Sequence, residues 1–117
     1  MTTRPQDLAA AMRARRAAAR SADRALGLAV RARLDAFLGT WPLPAEAAVW
    51  LFGSLASGDF QAASDVDLGV AGLALEQALA FGVAAERALG RPVDVLRLEA
   101  LGADFATHIR ADGVRLR

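Results

Sequence analysis

Apolar residues recur at helical spacing through the first third of the chain, at Leu8, Met12, Leu26, Val30, Leu34 and Phe37, with mostly alanine and arginine between them. That period predicts helix over residues 5–38, as one long rod or two joined ones. The weak point is Ser21-Ala22-Asp23, where the serine can cap a second helix. Residues 22–38 read as core helix; residues 1–20 have little but alanine to bury and form a basic helical extension. Two prolines, Pro42 and Pro44, then end the segment. From residue 48 the pattern changes to a continuous apolar run, Ala-Val-Trp-Leu-Phe, closed by Gly53, which predicts a buried strand. Residues 65–70 alternate and predict a second strand, with a short turn or helix start over 54–58 and a loop over 59–64. Residues 73–89 predict a helix with Leu75, Leu79, Val83 and Leu89 toward the core and Gly90 just past its end. Residues 92–98 predict a third strand, 104–111 a last helix with Phe105 and Ile109 four apart, and 113–116 a short closing strand.

This order, helix, strand, strand, helix, strand, helix, predicts an α+β fold of α/β-like character: a small mixed sheet with helices packed mainly on one face. At 117 residues, 55% of them hydrophobic, the chain can bury one core. Residues 21–117 are expected to form that domain and residues 1–20 its extension. Every apolar run is interrupted well short of the roughly 20 residues that span a bilayer, so no membrane segment is expected.

Charge is unevenly placed. Residues 1–35 hold eight arginines and three aspartates (+5), while 36–117 hold six arginines and ten acids (−4). The arginine-rich start has the look of a transit peptide, but its apolar pattern runs unbroken into the core helix, which points to a solvated helix face. Nucleic-acid binding through Arg13, Arg15, Arg16 and Arg20 is disfavoured, since no aromatic residues interleave them and the net charge is only +1. With no cysteine and a single histidine, His108, a thiolate or histidine-rich metal site is excluded. Any metal is then a hard, oxygen-preferring cation, and a cytoplasmic location fits.

Candidate chemistry lies where the first two strands end and begin. Gly53 permits backbone to approach an anion closely, and Ser54 adds a hydroxyl at a helix start; an ordinary strand-ending turn has the same appearance. Asp65 and Asp67, two apart on a strand, project to one face while Val66, Leu68 and Val70 turn to the core. Two like charges so placed call for a cation. Two divalent ions about 3.5–4 Å apart, bridged by such carboxylates, activate a hydroxyl and neutralise a leaving diphosphate. The plainer reading is a solvated pair, with Ser64 merely capping the loop. Asp94, between Val93 and Val95, offers a third carboxylate to the same site if its strand lies beside that of Asp67. His108 reads as a surface or satisfied structural residue, and Trp41 and Trp50 as core or interface.

Leu51-Phe52-Gly53-Ser54-Leu55-Ala56-Ser57-Gly58, with Ser64-Asp65-Val66-Asp67-Leu68-Gly69-Val70, resembles the signature of the polymerase-β-like nucleotidyltransferase superfamily, especially its minimal nucleotidyltransferases. The likeness extends over roughly residues 25–117, through Arg91-Pro92-Val93-Asp94-Val95-Leu96 and the closing segment. It implies the nucleotidyltransferase fold, Gly53, Ser54 and Ser64 holding the triphosphate of ATP or another NTP, and Asp65, Asp67 and Asp94 binding two Mg2+ ions, with Asp94 also a base. The implied reaction moves a nucleoside monophosphate to a hydroxyl and releases pyrophosphate. Minimal members are similar to antitoxins encoded beside a HEPN-type ribonuclease toxin, which implies such a toxin as partner and acceptor; self-association is left open. One position departs: many relatives carry Arg or Lys where this chain has Ser57, so Arg87, Arg91 or a partner's residue would have to replace that cation. The departure also supports an alternative, a weakly active protein that neutralises its partner by stoichiometric binding.

Overall fold

A computed structural model describes residues 4–117; the first three residues of the basic extension lie outside it. Helix α1 (Pro5–Thr40) is continuous for 36 residues, starting at a proline in the first turn and stopping before the Trp41-Pro42 step. Ser21-Ala22-Asp23 does not break it. Strand β1 (Ala48–Phe52) and the one-turn helix α2 (Ser54–Ser57) follow, then β2 (Val66–Ala71), α3 (Leu75–Leu89), β3 (Val93–Arg97), a 3-10 turn (Leu98–Ala100), α4 (Ala103–Asp112) and β4 (Val114–Arg115).

The strands form one sheet in the order β3-β2-β1-β4. Strand β1 pairs antiparallel with β2 and β4, whereas β2 and β3 run parallel across the α3 connection, so the sheet is mixed as expected. Alternation along the strands divides the buried side chains into two layers. Val49, Leu51, Val66, Leu68 and Val70, each with no exposed surface, face α1 and α3. Ala48 and Trp50 face the other way, onto Leu98 of the 3-10 turn and Ala106 and Ile109 of α4. Both tryptophans serve the core or its border: Trp41 stacks on Phe37 at 5.7 Å, and Trp50 lies 8% exposed beneath the guanidinium groups of Arg110 and Arg115.

Helix α3 corrects one expectation. Leu75, Leu79 and Val83 point to solvent, 56%, 61% and 53% exposed, while Ala78, Phe81, Ala85 and Leu89 are buried. This helix is apolar nearly all round, so two stripes compete for the sheet. The winning one inserts Phe81 against Phe37, ring centres 5.6 Å apart, and uses alanines and Gly82 to bring the helix close; a Cβ on Gly82 would already press on Val95 at 3.3 Å. The larger aromatic surface outweighs the second leucine row.

Helix α1 shows the same logic along its length. At 1.5 Å per residue it is about 54 Å long, and only Val30, Leu34, Phe37 and Leu38 are buried. Its first turns overhang the body, with Leu8 and Met12 about half exposed. Leu34→Ala is therefore expected to lower the unfolding free energy in a urea titration by about 2–5 kcal/mol. Leu28→Ala, six residues earlier at 74% exposure, should change it by less than about 0.5 kcal/mol.

Candidate active site

The turn that leaves β1 depends on glycine. Gly53 adopts φ +74° and ψ −155°, a region that side chains strain to enter. A second reason is steric: a Cβ at Gly53 would run into the carboxylate of Asp67. Backbone and carboxylate thus lie in direct apposition. Ser54 then opens α2, whose single turn closes through Ser57 N–H to the Gly53 carbonyl (3.0 Å) and Gly58 N–H to that of Ser54 (3.1 Å). The Ser54 hydroxyl makes no hydrogen bond among the described residues.

Register gathers the acids. Phe52 of β1 stands opposite Asp67 of β2, and Asp67 opposite Asp94 of β3, so Asp67 and Asp94 are adjacent and face the α4 side of the sheet. Asp65 lies just outside β2 and is exposed. Its charge still reaches Asp67. The Asp67 pKa is raised above the ordinary 3.8, first because burial penalises the ion, then through the charges of Asp94 and Asp65, and last through a hydrogen bond to Asp94 that only the protonated acid can donate.

Ser64 has a different position. Its hydroxyl accepts the Gln61 N–H at 2.9 Å, capping the loop before β2, and its carbonyl accepts from the Arg91 guanidinium at 2.9 Å. Arg91 in turn lies 4.6 Å over the Phe60 ring. Arg87 is on α3, on the other side of the sheet, in a hollow with Phe37 and Trp41. Ser57 is tied down as well, within 3.3 Å of the Ser54 carbonyl and 3.2 Å of the Asp59 carboxylate.

Beside Gly53 opens a cleft of about 380 Å³ between α2 and α4. Its walls include Phe52, Ser57, Phe105 and Ile109, with His108 and Asp112 at the rim, where Nδ1 and Oδ2 are 2.8 Å apart. The larger hollow, about 730 Å³ between α1 and α3, is on the far side of the sheet from Asp67 and is apolar. None of Asp65, Asp67 and Asp94 lines the smaller cleft; it borders the site through Gly53, whose backbone lies against the Asp67 carboxylate. Sequence reasoning missed its α4 wall. The spacing of His108 and Asp112, four apart on a helix, was the available signal.

Among the described residues no three His, Cys, Asp or Glu side chains are grouped closely enough to hold a metal ion unaided. The donor set nevertheless suits a hard divalent cation: oxygen ligands only, mutual repulsion that a cation relieves, and a side-chain-free cradle at Gly53.

The family described as "Polymerase beta, Nucleotidyltransferase" matches residues 44–117. Among solved structures, the chain is similar to a protein described as a minimal nucleotidyltransferase, with 29% identity and a TM-score of 0.64 over 75% of this chain and 93% of that one. It shares its fold with a chain of a toxin-antitoxin crystallised with AMP-PNP, at 22% identity and a TM-score of 0.61, over 73% of this chain and 70% of that one. No curated protein sequence matches.

Asp67→Asn removes the repelled charge, keeps the shape and gives Asp94 an N–H donor. Because the folded-state pKa of Asp67 is raised, wild-type stability is lost as pH climbs through the unfolded value and then the folded one; below about pH 4 both forms are protonated and the loss vanishes. The metal-free variant should melt higher than wild type at pH 7, with the gain shrinking as the pH falls toward 3. An equal or lower melting temperature at pH 7 shows that Asp67 is not electrostatically strained.

Proposed function

The chain belongs to the polymerase beta nucleotidyltransferase family, and from that premise we propose that it transfers AMP from ATP, with magnesium, to a hydroxyl of a partner protein. The observation that carries the reading is the apposition of Gly53 to the Asp67 carboxylate with Asp94 alongside. Residues 21–117 are the catalytic domain in this reading, residues 1–20 a basic extension, and the protein works in the cytoplasm.

Asp65, Asp67 and Asp94 would hold two Mg2+ ions, which supply charge neutralisation for the leaving diphosphate and activation of the attacking hydroxyl. The backbone at Gly53 and the free hydroxyl of Ser54 receive the triphosphate, with Ser64 keeping the loop before Asp65 in place. The acceptor oxygen forms a bond to the α-phosphorus as the bond to the bridging oxygen of the β-phosphate breaks, releasing pyrophosphate. Asp94 takes the hydroxyl proton, a role suited to a carboxylate already paired with a neighbouring acid. The cleft walled by Phe52, Phe105 and His108 opens beside Gly53.

We take the partner to be a HEPN-type ribonuclease toxin and this chain its antitoxin. Support comes from the neighbour of the same fold in a toxin-antitoxin with AMP-PNP.

A second reading has its own observation. No arginine lines the cleft, and Ser57 stands where many relatives carry a cation. On that reading the protein neutralises its partner by stoichiometric binding.

One experiment separates the two. The purified protein is incubated with ATP, Mg2+ and the partner, and the partner's intact mass is measured. The enzymatic reading expects an increment of one or more AMP groups, absent with Asp65→Asn/Asp67→Asn, and loss of toxin neutralisation by that variant. No increment with any nucleoside triphosphate, together with full neutralisation by the double variant, overturns the enzymatic reading.

A further inference from the structure

The outward face of α3 carries an apolar row that nothing among the described residues covers. Leu75, Leu79 and Val83 stand one turn apart, each more than half exposed. On one side the row borders the 730 Å³ hollow against Phe37 and Trp41; on the other, a groove of about 240 Å³ separates it from Val93 and Val95 of the edge strand β3. A ridge between two grooves is the relief by which helices interlock. A contiguous exposed apolar row rimmed by polar residues is the kind of surface that marks an interaction site.

Charge identifies the occupant. The row has Glu76 near its N-terminal end and Arg87 near its C-terminal end; both are exposed, and neither has an ion-pair partner among the described residues. We propose that α3 pairs antiparallel with α3 of a second copy of this chain, about a twofold axis passing between residues 81 and 82. In that register Glu76 of each copy meets Arg87 of the other, Leu79 meets Ala84, and Ala80 meets Val83. The small residues let the helices approach closely while the leucines fill the flanking grooves. A parallel arrangement would set like charges together, and a uniformly acidic or basic partner would satisfy only one end. A twofold pairing satisfies both ends twice. Because α3 covers the sheet face opposite Asp67 and Asp94, dimerisation leaves both carboxylate faces open, and the proposal stands apart from any catalytic activity.

Sedimentation equilibrium of the full chain at about 100 µM tests this. The expected mass is twice the 12.3 kDa of the chain. Leu79→Glu should give a monomer with an unchanged circular dichroism spectrum. Glu76→Arg and Arg87→Glu should each weaken dimerisation by at least about tenfold, since each creates two repulsive contacts. Mixing these two variants should restore the dimer, because every pair between them is again of opposite charge. A monomeric wild type, a dimer that either charge variant leaves intact, or single variants that stay apart on mixing overturns the proposal.

Discussion

The close approach of the Gly53 backbone to the Asp67 carboxylate is the constraint on which the rest of the molecule depends. It holds only if β1 and β2 pair so that Phe52 faces Asp67, and if nothing but hydrogen occupies the side-chain position of residue 53. A register slip of one residue would turn Asp67 into the core and Leu68 into solvent. The same register, carried across to β3, sets Asp94 beside Asp67. Three elements far apart in sequence thus converge on one sheet end, and the convergence carries a penalty, visible in the raised Asp67 pKa. The opposite face of β2 offsets it: Val66, Leu68 and Val70 are wholly buried. One strand therefore divides its labour by parity, odd positions bearing charge and even positions bearing the core.

Much of this was legible in the sequence because strand alternation and glycine chemistry are local. The boundaries of β1, the alternation through β2, the helix expected over residues 73–89 and found over 75–89, and the Gly53-Ser54 turn all follow from neighbours within a few positions. The long first helix was legible too, although Ser21 suggested a break; with high-propensity residues on both sides, the serine simply continues the helix. What the sequence withheld were relations between distant segments. That β3 lies next to β2, which makes Asp94 a neighbour of Asp67, depends on the path of α3 over the sheet. Which face of α3 is buried was misread, because the leucine row and the Phe81 row have nearly equal periodic claims and only the depth of the core decides between them. The α4 wall of the cleft was missed for the same reason, since Phe105 and His108 reach Gly53 only through the return of the chain to the sheet edge at β4.

The molecule distributes its surfaces accordingly. Carboxylates and cleft occupy the α4 side of the sheet, the apolar row of α3 the other side, and the arginine-bearing overhang of α1 extends past both. Each surface is unsatisfied in a different way: like charges seeking a cation, leucines seeking a cover, and cations seeking acids. Three surfaces so unsatisfied fit the pairings proposed above, and the family to which the chain belongs accords with the proposal that the carboxylate side is the chemical one.

The central claim is that Gly53, Asp67 and Asp94 form one seat for a divalent cation and a nucleotide. Manganese binding in the presence of AMP-PNP, followed by electron paramagnetic resonance, tests it most directly. The wild type should bind the ion together with the nucleotide, and Asp67→Asn or Asp94→Asn should weaken that binding by at least about tenfold while remaining folded. Equal manganese binding by the wild type and both variants would contradict the account.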